Sequence, residues 1–294
     1  MAAEAAGKRD DAGPIQVGFL LIDKPAGITS HDAVDRVRRA LGTRKVGHAG
    51  TLDPMATGLL LIGVGRATRL LRFLGELPKV YQGTGLLGVE TTTLDADGEE
   101  ARRSPVNVSE QELRAAMKSY VGDIEQVPPA YSAVKVGGQK LYEAARKGTA
   151  IEAPPRKVHV DTFDLLGFTT PRFDFPVRCS AGTYVRSLVA DVGRNLGCGA
   201  HLVALRRSAI GPYRVEDAMP PESPGPLMPL ERAVKHLEAV ELTEDEARAA
   251  SHGSVLGPAG IDGPYRVLGP DGDLVGIYSD RGAKAVPEVI LAPA

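Results

Sequence analysis

From residue 47 to residue 65 the chain reads Gly47-His48-Ala49-Gly50-Thr51-Leu52-Asp53-Pro54-Met55-Ala56-Thr57-Gly58-Leu59-Leu60-Leu61-Ile62-Gly63-Val64-Gly65. A single carboxylate stands between closely spaced glycines, immediately ahead of an apolar run. Glycine opens backbone conformations closed to other residues, and Asp-Pro is a turn-forming pair. The segment therefore reads as a shaped loop presenting Asp53, followed by a buried strand through LLLIGVG. An aspartate before proline also has a purely local role open to it, as a turn former. The charge around it adds a chemical one. From Arg36 to Arg72 the basic residues are Arg36, Arg38, Arg39, Arg44, Lys45, Arg66, Arg69 and Arg72, and Asp53 is the only acid. A lone carboxylate in so basic a segment suggests a polyanionic substrate brought to one acidic group.

That positive charge is local, because the whole chain carries a formal net charge of -2, which argues against an indiscriminate nucleic-acid binder. Residues 135–157 hold Lys135, Lys140, Arg146, Lys147, Arg156 and Lys157 against Glu143 and Glu152. Residues 178–207 hold Arg178, Arg186, Arg194, Arg206 and Arg207 against Asp191, and the acids collect near 216–246. Basic patches on an acidic protein favour one shaped polyanion over bulk phosphate. With 294 residues, 43% of them hydrophobic, one large domain or a large and a small one are expected. No run approaches the roughly 18 apolar residues of a membrane span. Residues 1–16 lack the apolar centre of a secretory signal and are expected to be a disordered lead-in. Cys179 and Cys198 fit a reducing cytoplasm without a disulfide framework. A zinc site built from them and His201 would have three scattered ligands, where structural zinc takes four at paired spacings.

Further signals organise the chain. Val17 to Asp23 reads as a buried strand, and a helix starts near Ser30, which can cap it; Val34, Val37 and Leu41 form its inward stripe and Gly42 ends it. Ala67 to Leu74 reads as a short basic helix, and Lys79 to Asp95 as extended structure turning at Asp97-Gly98. Ser109 and Glu112 make a capping-box pattern for a helix running to about Gly122. Val127 to Gly148, with Pro128-Pro129 and Gly137-Gly138, has the character of a mobile insertion able to close over a ligand. Phe173, Phe175, Val177 and Cys179 alternate as a strand, and Val185, Leu188, Val189, Val192 and Leu196 trace one helix face with Arg186 in its first turns. Residues 219–229 are a proline-rich linker by composition. Beyond them, residues 238–294 hold an acidic helix and a hairpin, Tyr265–Leu268 with Leu274–Tyr278, turning at Pro270-Asp271-Gly272.

Taken together, these segments make the chain resemble the TruB family of tRNA pseudouridine synthases. Lys24-Pro25-Ala26-Gly27-Ile28-Thr29-Ser30 is similar to the family's first motif, Gly47 to Gly58 to its catalytic loop, and Lys79-Val80-Tyr81 through Asp95-Ala96-Asp97-Gly98 to its second motif. Pro128-Pro129-Ala130-Tyr131-Ser132-Ala133-Val134-Lys135 resembles the start of its RNA-gripping thumb. Cys179-Ser180-Ala181-Gly182-Thr183-Tyr184-Val185-Arg186 and Gly197-Cys198-Gly199-Ala200-His201-Leu202, running on to Leu205-Arg206-Arg207, resemble the third. The resemblance implies an α+β pseudouridine synthase fold, with a mixed, mainly antiparallel central sheet flanked by helices. It implies a catalytic domain over residues 17–237, a thumb-like insertion at 127–150, and a small β-rich PUA-like domain over 238–294.

It also implies a reaction: isomerisation of the T-loop uridine at position 55 of tRNA, by base flipping and attack by an aspartate, with assistance to tRNA folding alongside. Asp53 would be the nucleophile, Arg186 the cation that holds it, and Tyr81 the pocket tyrosine that stacks on the flipped uracil and can transfer a proton. His48 would hold the bent T loop, and Lys24, Asp95, Tyr184 and Leu205 would be secondary pocket residues. Each has a plainer reading as loop histidine, surface charge, turn acid, packed aromatic or core leucine. The isomerisation is redox-neutral and loses no group, so neither cofactor nor metal is expected; an ionised carboxylate in a dry pocket is. Burying it unpaired would cost several kcal/mol, hence the accompanying cation. The thumb favours an enzyme acting without a protein or guide-RNA partner over the guide-dependent archaeal and eukaryotic branch of the family; a monomer in the cytoplasm is expected. Two rivals are weaker. Gly63-x-Gly65 lacks the third glycine of a dinucleotide fingerprint, and adjacent Ser30-His31-Asp32 cannot form a hydrolase relay. A noncatalytic RNA chaperone is compatible with every basic patch.

Overall fold

The computed structural model describes residues 16–132, 135–141, 149 and 153–291; the expected lead-in, Gln16 apart, lies outside them. Strand β1 (Gly18–Lys24) pairs antiparallel with β3 (Thr57–Val64) along its whole length, from Gly18 opposite Val64 to Lys24 opposite Gly58. The other edge of β3 is shared. Its second half pairs with the short β2 (Val46–Ala49), and its first residues pair in parallel with β13 (Ala200–Ile210), Thr57 opposite Arg206 and Gly58 opposite Arg207. The Asp53 loop therefore fills the place where one edge of β3 passes from β2 to β13. Gly47 and His48 lie within β2 and not in the loop.

Between β1 and β2 runs α1 (Ser30–Leu41), with Val34 and Val37 buried against the sheet and Gly42 closing it in the left-handed conformation. Its cap is Thr29, not Ser30: the Thr29 hydroxyl accepts from the Asp32 amide, and the Asp32 carboxylate accepts from the Thr29 amide at 2.8 Å. Ser30, one residue into the helix, is used to clamp Leu52 instead. After β3, a tight helical turn over Gly65–Leu70 runs into α2 (Leu71–Gly75), then into β4 (Lys79–Leu87) and the hairpin β5 (Val89–Thr91) with β6 (Glu100–Arg103). Helix α3 (Glu110–Lys118) has the Ser109–Glu112 capping box but ends short of Gly122, because Gly122 begins strand β7 (Gly122–Gln126). Of the insertion, a small hairpin of β8 (Lys135–Val136) and β9 (Gln139–Lys140) is described.

Strands β10 (Arg156–Phe163), β11 (Gly167–Thr169) and β12 (Arg172–Cys179) follow, then α4 (Val185–Asn195), β13 and β14 (Tyr213–Arg214). The main sheet has the order β1-β3-β13-β4-β12-β10-β7, with β2, β11 and β14 at its margins. It is mixed, since β3 with β13 is parallel and the other pairings are antiparallel. Alternation along β12 buries Phe173, Phe175, Val177 and Cys179 beneath α3 and α4. The rings of Phe173 and Phe175 lie across glycines of β4: a Cβ on Gly83 would come within 2.5 Å of the Phe175 ring, and one on Gly85 within 2.3 Å of Phe173. Each buried phenylalanine contributes roughly 1.5–3 kcal/mol, and the glycines are the space that burial needs.

The proline-rich segment 219–229 is not a free linker. Its two ends pair with the outer edge of β1: the amides of Phe19 and Met228 exchange bonds with each other's carbonyls, and Met219 bonds to Leu21 and Asp23. Proline suits an edge position because it has no amide to give to a ladder. A short helix α5 (Leu230–Ala233) leads to β15 (Ala239–Glu241), the acidic α6 (Glu244–Ser251) and the strands β16 (Pro264–Leu268), β17 (Leu274–Arg281) and β18 (Lys284–Ile290). These form a second sheet of order β15-β16-β17-β18. The hairpin expected over residues 265–278 is β16 with β17. Leu274, Ile277, Val289 and Leu291 of this unit share a buried cluster with Leu70, Phe73 and Leu74.

Candidate active site

The Asp53 loop is tied down from four sides. Ser30 Oγ donates to the Leu52 carbonyl at 3.1 Å and accepts from the Leu52 amide at 2.8 Å. The Gly27 amide donates to the Pro54 carbonyl at 2.9 Å. The Lys24 ammonium, fully buried, donates to the carbonyls of Pro25 and Ile28 at 2.9 and 2.8 Å and of Pro54 at 3.3 Å. From β13, Arg207 sends Nε to the Leu59 carbonyl at 2.7 Å and Nη2 to that of Gly50 at 3.2 Å, with Nη1 at the limit of reach from Thr51. Gly58 makes this crossing possible. Its φ is +105°, and a Cβ there would stand 2.3 Å from the Arg207 carbonyl oxygen.

Opposite the loop stands the start of α4. Its approach is fixed by the buried side-chain amide of Gln126, which accepts from the Tyr184 amide at 2.7 Å and donates to the Tyr184 carbonyl at 3.0 Å. This brings Arg186 to Asp53: Nη2 donates to Oδ1 at 3.0 Å, and Nε lies 2.8 Å from Oδ2 as a close ion pair without an aligned hydrogen bond. The same guanidinium reaches Asp95 Oδ2 at 3.2 Å through Nη1, and donates to the carbonyls of Thr93 and Tyr131 at 2.8 and 3.0 Å. The Arg186 side chain is 4% exposed and that of Asp53 is 31% exposed. The cation is thus committed and walled in, while the carboxylate keeps an open side.

That side faces a cavity of about 250 Å³, lined by Asp53, Tyr81, Tyr184, Arg186, Leu205 and Arg207 among others. The volume is below the roughly 300–1,000 Å³ of pockets for drug-sized ligands, and suits one planar base. Burial raises the Asp53 pKa above its ordinary value, with the Arg186 charge pulling the other way and Asp95 adding to the rise. Burial likewise raises the Tyr81 phenol, against the Arg207 charge, so Tyr81 enters as a neutral ring with a proton to give. Lys24 is lowered to about 8 by burial, with the Asp53 charge opposing.

Asp53, Tyr81, Arg186, Tyr184 and Leu205, expected in the pocket, line one cavity. Lys24, Asp95 and His48 do not. Lys24 lies beneath the loop, Asp95 touches the cavity only through Arg186, and His48 lines an adjoining recess with Arg72, Glu76 and Arg156. Burial lowers the His48 pKa, which leaves it neutral. Arg207, Lys79 and Gln126 were not expected at the site. The third motif named Arg207 without a role, and nothing in a sequence shows that an arginine will spend its fork on backbone carbonyls some 150 positions away.

Comparison with known proteins decides what this arrangement belongs to. Residues 38–185 match the family model described as TruB family pseudouridylate synthase (N terminal domain), residues 186–222 the tRNA pseudouridylate synthase B C-terminal domain, and residues 237–292 the tRNA pseudouridine synthase II C-terminal model. The tRNA pseudouridine synthase B of Thermobifida fusca (strain YX) is 46% identical over 290 residues, covering 94% of this chain and 98% of that protein. The chain belongs to the TruB family of pseudouridine synthases. A tRNA pseudouridine synthase B of Mycobacterium sp. (strain KMS) is 43% identical over 94% of this chain and 97% of its own length. Among solved structures, an H/ACA RNP bound to a substrate RNA containing 2'-deoxyuridine matches with a TM-score of 0.71 at 25% identity, over 95% of this chain and 86% of that one. This TruB family member therefore has the α+β pseudouridine synthase fold and is an isomerase. No helix among its described residues is long and apolar enough to cross a membrane.

Proposed function

We propose that the protein isomerises the T-loop uridine at position 55 of tRNA to pseudouridine, with Asp53 as nucleophile. The observation that carries this reading is the half-open Asp53 carboxylate, held by the walled-in Arg186 at the edge of a base-sized cavity. A duplex or loop nucleotide reaches such a cavity only when extruded from its stack, and an aromatic wall rewards the extruded base. Tyr81 supplies that wall, and Leu205 and Tyr184 complete it. The bond from ribose C1′ to N1 breaks, the base turns, and C1′ rejoins through C5; the proton lost from C5 balances the one gained at N1. Tyr81 is the neutral phenol placed to take part in that transfer.

Arg186 keeps Asp53 ionised in a site whose burial favours the neutral acid, and Asp95 shares the same guanidinium, fixing its plane. Lys24 acts as a positioning residue through the loop carbonyls. His48, with Arg72 and Arg156 around its recess, is suited to the backbone of the bent loop that carries the target. The insertion at 127–150 is proposed to grip the RNA, and the unit over 238–294 to extend the contact as a PUA-like domain. The arrangement asks for no redox group and no metal, and for neither guide RNA nor protein partner; we take the protein to act as a monomer on cytoplasmic tRNA. The test is to incubate purified protein with unmodified tRNA and map pseudouridine. Conversion at T-loop position 55 is expected, and conversion at another position, or none without an added RNA or protein, would overturn the reading.

A further inference from the structure

Lys79 opens β4, two residues before Tyr81, and lines the same cavity as Asp53. It is 5% exposed. Among the described residues its ammonium has one hydrogen-bond partner, the Gly75 carbonyl at the end of α2. Among the described residues no carboxylate lies within ion-pair distance, and Glu76 acts on it only through space. An ammonium carries three donors, so two remain. Taking such an ion out of water costs several kcal/mol unless it is paired, and a helix terminus offers only about half a charge in return. Burial, reinforced by the Arg207 charge, lowers this amine to about 8.

The other cations around the cavity are already committed. Arg186 is divided between two carboxylates and two carbonyls, and Arg207 between the carbonyls of the Asp53 loop and β3. Among the residues that line the cavity, Arg186, Arg207 and Lys79 stand against Asp53, so the walls hold a positive surplus that uracil, a neutral base, does not answer. The phosphate beside the extruded sugar does. A compact ammonium suits phosphate as a point charge. We infer that Lys79 is a substrate-binding residue whose ammonium takes a phosphate oxygen flanking the extruded uridine and so seats the nucleoside against Asp53. The inference rests on the proposed reaction. A Lys79 that merely capped α2 would affect stability alone.

The two roles separate in a binding cycle. T stem-loop RNAs carry one neutral methylphosphonate, on a 2′-deoxy sugar, at the linkage 5′ or 3′ of the target uridine; each is compared with the matching 2′-deoxy phosphodiester. Wild-type protein is expected to lose affinity roughly tenfold to a hundredfold at one of the two linkages. Lys79→Gln should show that loss on the phosphodiester RNA already, with no further loss on neutralisation, and Lys79→Arg should keep most of the wild-type discrimination. Neutral linkages that cost Lys79→Gln as much as wild type would overturn the inference, as would a variant whose sole defect is a lower Tm. Failure of the proposed reaction reads out separately, as wild-type protein that forms no pseudouridine in the unmodified stem-loop.

Discussion

The proposed reaction asks Asp53 to be two things that burial sets against each other: shielded enough to attack without a hydration shell, and charged. Desolvation raises its pKa, while Arg186 and Lys24 restrain the rise. As the proposed nucleophile Asp53 must be deprotonated, so activity should be lost as pH falls through its folded-state pKa, which lies above the ordinary aspartate value of about 3.9. A pH profile of kcat/KM should therefore show an acid limb with its midpoint clearly above that value; a profile flat down to pH 4 would contradict the raised carboxylate. At this scale the gathering of Asp53, Tyr81 and Arg186 around one cavity was legible, because each sits in a motif whose residue types suit one site. Arg207 and Lys79 were not. Their roles depend on backbone carbonyls and on neighbours that only the folded chain supplies, and a sequence shows a cation without showing what it touches.

Elements were legible where periodicity or capping is strong. The stripe of α1, the capping box at Ser109 and the alternation along β12 each state their own structure. The errors fell where two residues of one type compete or where tertiary pairing overrides composition. Thr29 and Ser30 are both good caps, and Leu52 takes Ser30. The proline-rich segment lacks any strand signal, yet it covers the outer edge of β1. Strand β2 is four residues long and holds a glycine, so it exists only because β3 offers an edge. The glycines of β4, poor strand formers by themselves, are seats for Phe173 and Phe175. Gly83→Ala should therefore destabilise the protein by about 1–3 kcal/mol through overpacking. Urea denaturation reads this as a lower midpoint with an unchanged slope; an unchanged midpoint would show that the Phe175 ring moves aside freely.

For the molecule as a whole, the C-terminal sheet is more firmly joined to the rest than an appended domain would be. Ile277, Val289 and Leu291 pack with Leu70 and Phe73, Arg69 donates to the Ile290 carbonyl at 2.6 Å, and Arg72 pairs with Glu288 at 2.6 Å. The apolar cluster outweighs the exposed pair, which contributes at most about 1 kcal/mol. Calorimetry should accordingly show one cooperative unfolding transition, and a chain ending at residue 237 should melt at lower temperature than the full chain. Two separate transitions, or an unchanged melting temperature after truncation, would mean that the two units are independent. The join also places α2, whose last carbonyl holds Lys79, between the second sheet and the cavity, so the second sheet and the cavity share one support.

In the proposed reaction Asp53 is the group that attacks the nucleoside. The most direct measurement is single-turnover pseudouridine formation in a tRNA T stem-loop by wild-type protein and by Asp53→Asn, with RNA affinity measured on both. Asparagine keeps the shape of the side chain and leaves the basic patches in place, so the variant should bind RNA within a few-fold of wild type and form no pseudouridine. Turnover by the Asp53→Asn protein at a rate near that of wild type would contradict the account.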